Sequence, residues 1–289
     1  AVLRLAVLML FAGWTLVFGR QLPMEPSHQS GQSITGAFEG WFANPDGSFS
    51  LLVGYYNRNT KQELDIATGP NNRIEPGGPD QGQPTHFLTG RQWGVFTVTV
   101  PKDFANKKLT WTLVANGQTT VIPISLNPLW EVSPLIEASG NTPPFISFEE
   151  GKLGVQGPRG HRAEMSGTVS APLTLTLWVS DDVKLPRSAS QGLRNLSVSV
   201  SWGKFRGPGN VKFANPRPAV EKVETKITPP PPFSGKATTT VTFSEPGEYI
   251  LRVVANDASG EGGRGFQCCW SNAFVRVSVK PGASMANEK

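Results

Sequence analysis

The chain has 289 residues, enough for two ordinary domains that each bury their own core. Its 31 Gly and 25 Pro, with 38% apolar residues and abundant Thr, Ser and Val, fit packed β domains better than helices or disorder. The formal charge of +5, with no run of Lys or Arg interleaved with aromatics, excludes a nucleic-acid groove.

At the N-terminus, Arg4 precedes a 15-residue apolar run from Leu5 to Gly19. A positive flank followed by a short apolar core reads as a secretory signal, and the run falls short of the roughly 20 residues of a membrane span. Cleavage after Gly19 places Val17 and Gly19 at the small-residue positions; left uncleaved, residues 1–19 would act as an anchor and the chain's one link to a membrane. Export, to the periplasm, the cell surface or the medium, is the expectation. Residues 20–32 read as a flexible leader.

From Ser33 a two-residue period takes over. Phe49, Leu51, Val53 and Tyr55 alternate with Ser48, Ser50, Leu52 and Gly54, and Phe96, Val98 and Val100 alternate with Thr97 and Thr99. Leu109, Trp111 and Leu113 alternate with Thr110 and Thr112. Successive side chains on a strand point to opposite faces, so each run offers one apolar face to a core and one to water. Asn-Pro-Asp-Gly at 44–47 and Asn-Gly at 116–117 predict hairpin turns, and the whole of 33–135 predicts a β-sandwich. The segment Gly69–Pro84 has no periodicity; loops this long are either functional or solvated connectors.

The Pro-, Ser- and Asn-rich stretch Asn127–Pro144 marks a boundary, with the linker proper at 136–144. A second set of strands follows over 145–281. Leu173, Leu175, Leu177 and Val179 share a face, as do Leu196, Val198, Val200 and Trp202. Tyr249, Leu251, Val253 and Ala255 form another, and Ala273, Val275, Val277 and Val279 the last. Pro229–Pro232 predicts a polyproline II connector, and residues 282–289 a loose tail. The fold class is therefore all-β, two immunoglobulin-like β-sandwich domains in tandem after an N-terminal signal helix.

The segment Val200–Pro216, with Trp202, Gly207-Pro208-Gly209 and Val211-x-Phe213, followed by Thr239–Asp257, resembles a PKD-type domain, an immunoglobulin-like sandwich. Val179–Pro186 is similar to the Asp-Asp-Gly-Leu-Pro turn of one branch, with Val183-Lys184 where Gly is usual. In that likeness Glu245-Pro246-Gly247-Glu248 turns the chain to deliver Tyr249 into a corner where its hydroxyl bonds nearby backbone. The resemblance covers about half the chain. It implies an extracellular spacer, binding or adhesion module. Residues 33–135 resemble no characterised family.

Catalytic patterns are thin. The histidines are His28, His86 and His161, and no metalloprotease helix, nucleophile elbow, phosphate loop or dinucleotide fingerprint occurs. The alternative to a non-catalytic binding or scaffolding protein is a hydrolase with its site near His86, or a purely structural spacer. Candidate ligand-binding residues are Arg73, Glu75, His86, Arg91 and Trp93 around the first-half loop, and Phe266 and Trp270 in Ser259–Asn272, where polar groups beside flat aromatics suit a protein or carbohydrate of the cell envelope. No cofactor is required. Asp181, Asp182 and Asp257 at strand ends are candidate Ca²⁺ ligands, or Asp side chains that bond their own turns. Cys268 and Cys269, adjacent and alone, are two unpaired thiols, a vicinal disulfide or the source of an intermolecular bond.

Overall fold

A computed structural model describes residues 28–137, 140–184, 198–257 and 268–282. The predicted signal helix, Phe266 and the tail beyond residue 282 lie outside these residues. The first half forms β1 (Ile34–Ala43), β2 (Phe49–Asn57), β3 (Leu64–Asp65), β4 (Asn72–Glu75), β5 (His86–Phe87), β6 (Gly90–Val100), β7 (Lys108–Ala115) and β8 (Gln118–Ser125). Two antiparallel sheets, β1-β2-β6 and β4-β7-β8, bury a common core, to which the short β3–β5 pair adds Leu64 and Phe87. Trp111 sits in that core with no exposure, edge-on to Phe96 with centroids 5.4 Å apart. The predicted turns are present. Asn44 N donates to Ser48 O at 2.8 Å, and Asn116 and Gly117, with φ of 49° and 74°, join β7 to β8 in a two-residue hairpin.

The second half forms β9 (Phe145–Ser147), β10 (Val155–Gln156), β11 (His161–Thr168), β12 (Leu173–Asp181), β13 (Ser199–Arg206), β14 (Val211–Phe213), β15 (Glu221–Lys222), β16 (Phe233–Phe243), β17 (Gly247–Asn256) and β18 (Trp270–Lys280). One sheet runs β10-β9-β12-β16-β14 with β15 also on β16, the other β11-β18-β17-β13. All pairs are antiparallel except β11 with β18. The residues expected to face inward on β12, β13, β17 and β18 do so, and Trp202 stacks on Phe213 between the sheets at 6.4 Å. Tyr249 fills the predicted corner. Its hydroxyl accepts from Gly209 N at 3.0 Å and donates to Glu245 O at 2.9 Å. Val183 takes φ of 54° where the resembled turn usually has Gly, a conformation a β-branched residue rarely adopts.

The end of the leader and the linker are both tied to the sandwiches. In the leader, Gln32 N donates to Asn59 Oδ1 at 2.7 Å and Asn59 Nδ2 to Gln32 O at 3.0 Å, so residues 28–32 are fastened to the first sandwich. Ahead of the linker, Trp41 Nε1 donates to Asn127 O at 2.8 Å; within it, Asn141 Nδ2 donates to Asp257 Oδ2 at 2.6 Å.

The sandwiches pack against each other. The face of β2 expected to meet water instead points Leu52 at Val254 and Trp270. On the facing sheet, Ile250, Arg252 and Val254 of β17 alternate with core residues and face the first sandwich. Phe205, beside a bulge between Lys204 and Arg206 and on the same face of β13 as Gly203, enters the core of the first half, where it meets Phe274 edge-on at 5.0 Å. Simple alternation fails here because both faces of these sheets are covered.

Candidate functional site

The seam between the sandwiches encloses a cleft of about 440 Å³. Its first-half wall is built by irregularities in β1 and β6. The β1–β2 register shifts between Phe38 and Gly40, and the β2–β6 register shifts between Val53 and Tyr55, which frees Trp93, Gly94 and Val95 from regular pairing. The two irregularities are locked to one another. Glu39 Oε2 accepts from Gly94 N at 2.7 Å, and its other oxygen accepts from Arg91 Nη2. This ion pair crosses over β2 at Gly54, where a Cβ would lie 2.3 Å from Glu39 Oε1. Burial pushes the Glu39 carboxyl above its usual range, against the pull of Arg91 and of the Gly94 amide.

Arg91 is fully engaged. Its Nη1 donates to the carbonyls of Tyr55 at 3.0 Å and Gln92 at 2.8 Å, and its guanidinium lies 3.8 Å over the Trp93 ring. The arginine therefore holds the wall and presents Trp93, half-buried, to the cleft. Tyr55 lies behind it, with its hydroxyl accepting from Leu88 N at 2.8 Å; burial raises that phenol above its ordinary range.

His86 sits on β5 with Asp65 Oδ1 at 2.9 Å from Nδ1 and Glu63 Oε2 at 3.1 Å from Nε2. Both ring nitrogens are thus occupied by carboxylate partners. Asp65 Oδ1 also accepts from Lys204 Nζ at 3.0 Å, which ties this cluster to the second sandwich.

The second half supplies Trp202, Lys204, Arg217, Arg252 and Trp270. Arg252, 9% exposed, is the hub of the seam: its Nη2 donates to Trp93 O at 3.0 Å and, with Nε, to Asn272 Oδ1. Asn272 Nδ2 in turn donates to Gly94 O at 2.6 Å. Trp270 is 3% exposed and seats its ring on Gly94, where a Cβ would meet it at 2.2 Å.

Of the residues singled out in the sequence, His86, Arg91, Trp93 and Trp270 thus border one cleft. Arg73 and Glu75 do not; they pair with each other at 2.9 Å on the outside of β4. Nor is the Gly69–Pro84 loop a solvated connector. Asn72 donates to Ile66 O and Pro84 O, and Arg206 of the second sandwich grips Asp80 with two bonds of 2.9 and 2.8 Å. That guanidinium holds the Asp80 carboxyl below its usual range. Thr85 N completes the bracket by donating to Phe205 O at 3.1 Å. The loop therefore joins the Arg206 end of β13, whereas Trp270 pairs with Asn256 at the opposite end of β17.

At that opposite end, Cys268 and Cys269 are bonded to each other as a buried vicinal disulfide. Asp181 Oδ2 accepts from Val183 N at 2.9 Å and Asp182 Oδ1 from Lys184 N at 3.1 Å, so both bond their own turns. Among the described residues no group of three or more His, Cys, Asp or Glu side chains is placed to hold a metal ion.

Arg217 and Arg252 escaped the sequence reading because they stand more than 100 residues from Trp93. Arg252, a lone cation in the apolar run from Tyr249 to Ala255, was the available signal.

No family model matches the chain, and no curated protein matches it. Among solved structures it is similar to dimeric latent PorU from Porphyromonas gingivalis, at 10% identity and a TM-score of 0.27, over 86% of this chain and 24% of that one, so that it spans about a quarter of the PorU chain. It is also similar to domains 4 and 5 of the S-layer protein SbsC, at 10% identity and 0.23 over 86% and 98%, and to the D00-D0 domain of intimin, at 13% identity and 0.24 over 85% and 99%. Likenesses this weak carry no argument about what the chain does; its two-sandwich fold rests on its own strands.

Proposed function

We propose that this chain is an exported, non-catalytic binding protein of the bacterial envelope, with an adhesion or scaffolding role, whose ligand enters the cleft between the two sandwiches. The observation that carries the reading is the construction of that cleft. Its walls come from both halves and are held by a buried polar seam through Arg252 and Asn272, which is how a fixed recognition surface is built. Both ring nitrogens of the histidine lining it face carboxylates, Asp65 and Glu63, rather than Ser201 or Thr89 on the same walls, which supports the non-catalytic reading. Export is supported by the Arg4-led apolar run, and the PKD-type motifs of the second half, with Tyr249 in its corner, support an extracellular module. Its partner would be a protein or carbohydrate of the envelope.

Purified protein should bind isolated bacterial envelope saturably, and Thr89→Trp, which fills the mouth of the cleft, should abolish that binding. A purely structural spacer would show no saturable binding. Turnover of any substrate in a broad hydrolase panel, lost on His86→Ala, would overturn the non-catalytic reading.

A further inference from the structure

We infer that the Cys268–Cys269 disulfide is a redox-sensitive lock on the seam between the two sandwiches, opened by a dithiol reductant. A bond between neighbouring residues closes no loop of chain, so it gives little of the entropic stabilisation that a staple between distant segments supplies. What it fixes instead is the backbone just ahead of β18, where the residues through Asn272 are committed to other parts of the molecule. Cys269 O accepts from Asp257 N at 3.4 Å, and Cys269 Sγ lies 3.7 Å from Asn141 O in the linker. Trp270 packs with Val254 against Leu52 and Gly94 of the first sandwich. Ser271 Oγ accepts from Gly157 N at 2.7 Å and donates to Pro144 O, and Asn272 Nδ2 donates to Gly94 O at 2.6 Å. The disulfide thus adjoins the apolar contact across the seam and stands close in the chain to a polar one.

Both cysteines are buried, at 2% and 0% exposure. Two bonded sulfurs stand closer than two thiols can, so reduction needs room that a close-packed interior does not hold. The nearest element able to yield is the seat of Trp270. Its indole Nε1 is buried with no hydrogen-bond partner among the described residues, a donor that water satisfies once the ring leaves Gly94. Reduction therefore favours release of Trp270, while the closed seam shields the sulfurs from attack; the two equilibria are linked and each shifts the other. In the step itself, one thiolate of the dithiol attacks a cysteine sulfur, which breaks the S–S bond and forms a mixed disulfide. The reductant's second thiol then attacks its own sulfur in that mixed bond and leaves as the reductant's disulfide. Two electrons and two protons pass to Cys268 and Cys269.

Incubating the native full chain with dithiothreitol, counting thiols and following the indole NH signal of Trp270 tests this. Two thiols should appear with the fold intact, and the Trp270 signal should move with the same time course. Trp111, in the first core, should not respond, and reoxidation by glutathione disulfide should restore the starting spectrum. The double variant Cys268→Ser, Cys269→Ser should show the reduced spectrum and ignore the reductant. Gly94→Ala, whose Cβ would lie 2.2 Å from the Trp270 ring, should be reduced at least about tenfold faster than the natural protein. Leu52→Ala, which trims the same contact, should act in the same sense. Thiols that appear without a change at Trp270, no thiols short of global unfolding, or a double variant with the oxidised spectrum would each overturn the inference. So would reduction of Gly94→Ala and Leu52→Ala at the natural rate. The lock holds or fails by these readouts whatever ligand the cleft takes.

Discussion

Glu39 and Arg91 meet across a strand that belongs to neither of them. Their ion pair passes over Gly54 of β2, whose missing side chain leaves the room. The pair is largely buried and also anchors the Gly94 amide, so it fixes the wall that carries Trp93.

Gly54→Ala should therefore be costly despite adding one methyl group. The new Cβ would meet Glu39 Oε1 at 2.3 Å and Gln92 O at 2.4 Å, and neither has room to retreat. Overpacking of about 1–3 kcal/mol is to be expected, with more if the buried pair breaks. Urea unfolding should show this loss, with a weaker response of Trp93 to ligand.

Tyr249→Phe removes the hydroxyl that bridges Gly209 N and Glu245 O, stranding a buried amide at a cost of about 2 kcal/mol. Gly207→Ala should cost more, because its φ is +141° and a Cβ would lie 2.2 Å from the Tyr249 ring. Denaturation followed at the second sandwich separates the two.

These cases show where the sequence was legible. Alternation along single strands predicted which residues of β12, β17 and β18 face their own core, and the Glu245–Gly247 turn before Tyr249 announced the corner. What alternation cannot express is a second covering partner. Leu52, Arg252 and Phe205 were misplaced or passed over because the face opposite their own core is buried by another domain, and that contact joins residues far apart in the chain. His86, Arg91 and Trp93 stood out as polar and aromatic neighbours, yet the other wall of their cleft carried no nearby mark.

Asp181 predicts a pH dependence of opposite sign to the common carboxylate case. Burial first, then its neighbours Asp257 and Asp182, push its carboxyl up to about 6 from 3.8. The folded state thus holds a proton that the unfolded state releases, so this group's contribution to stability falls as pH rises between those values and is flat above them. The drop amounts to at most about 3 kcal/mol. Asp181→Asn keeps an acceptor for Val183 N and removes the charge. It should match the natural protein at pH 4 and exceed it at pH 7, as read from urea midpoints.

Arg252→Ala should loosen the two sandwiches rather than unfold either. It takes the Arg252 donor from the Trp93 and Gly94 carbonyls inside the seam, for about 3 kcal/mol of coupling. Arg206→Ala, which breaks a more exposed pair with Asp80, should cost about 1 kcal/mol. Small-angle scattering should show a broadened interdomain distance for the first variant and little change for the second.

The cleft as binding site is tested most directly by the indole NH signals of the eight tryptophans during titration with soluble envelope polysaccharide. Trp93 should shift saturably, while Trp41 and Trp111, held in the first core by Asn127 and Asn72, and Trp202, stacked on Phe213 in the second, should stay still. Shifts confined to the exposed Trp130, or no shift at a concentration where the protein binds envelope, would contradict a ligand site between the sandwiches.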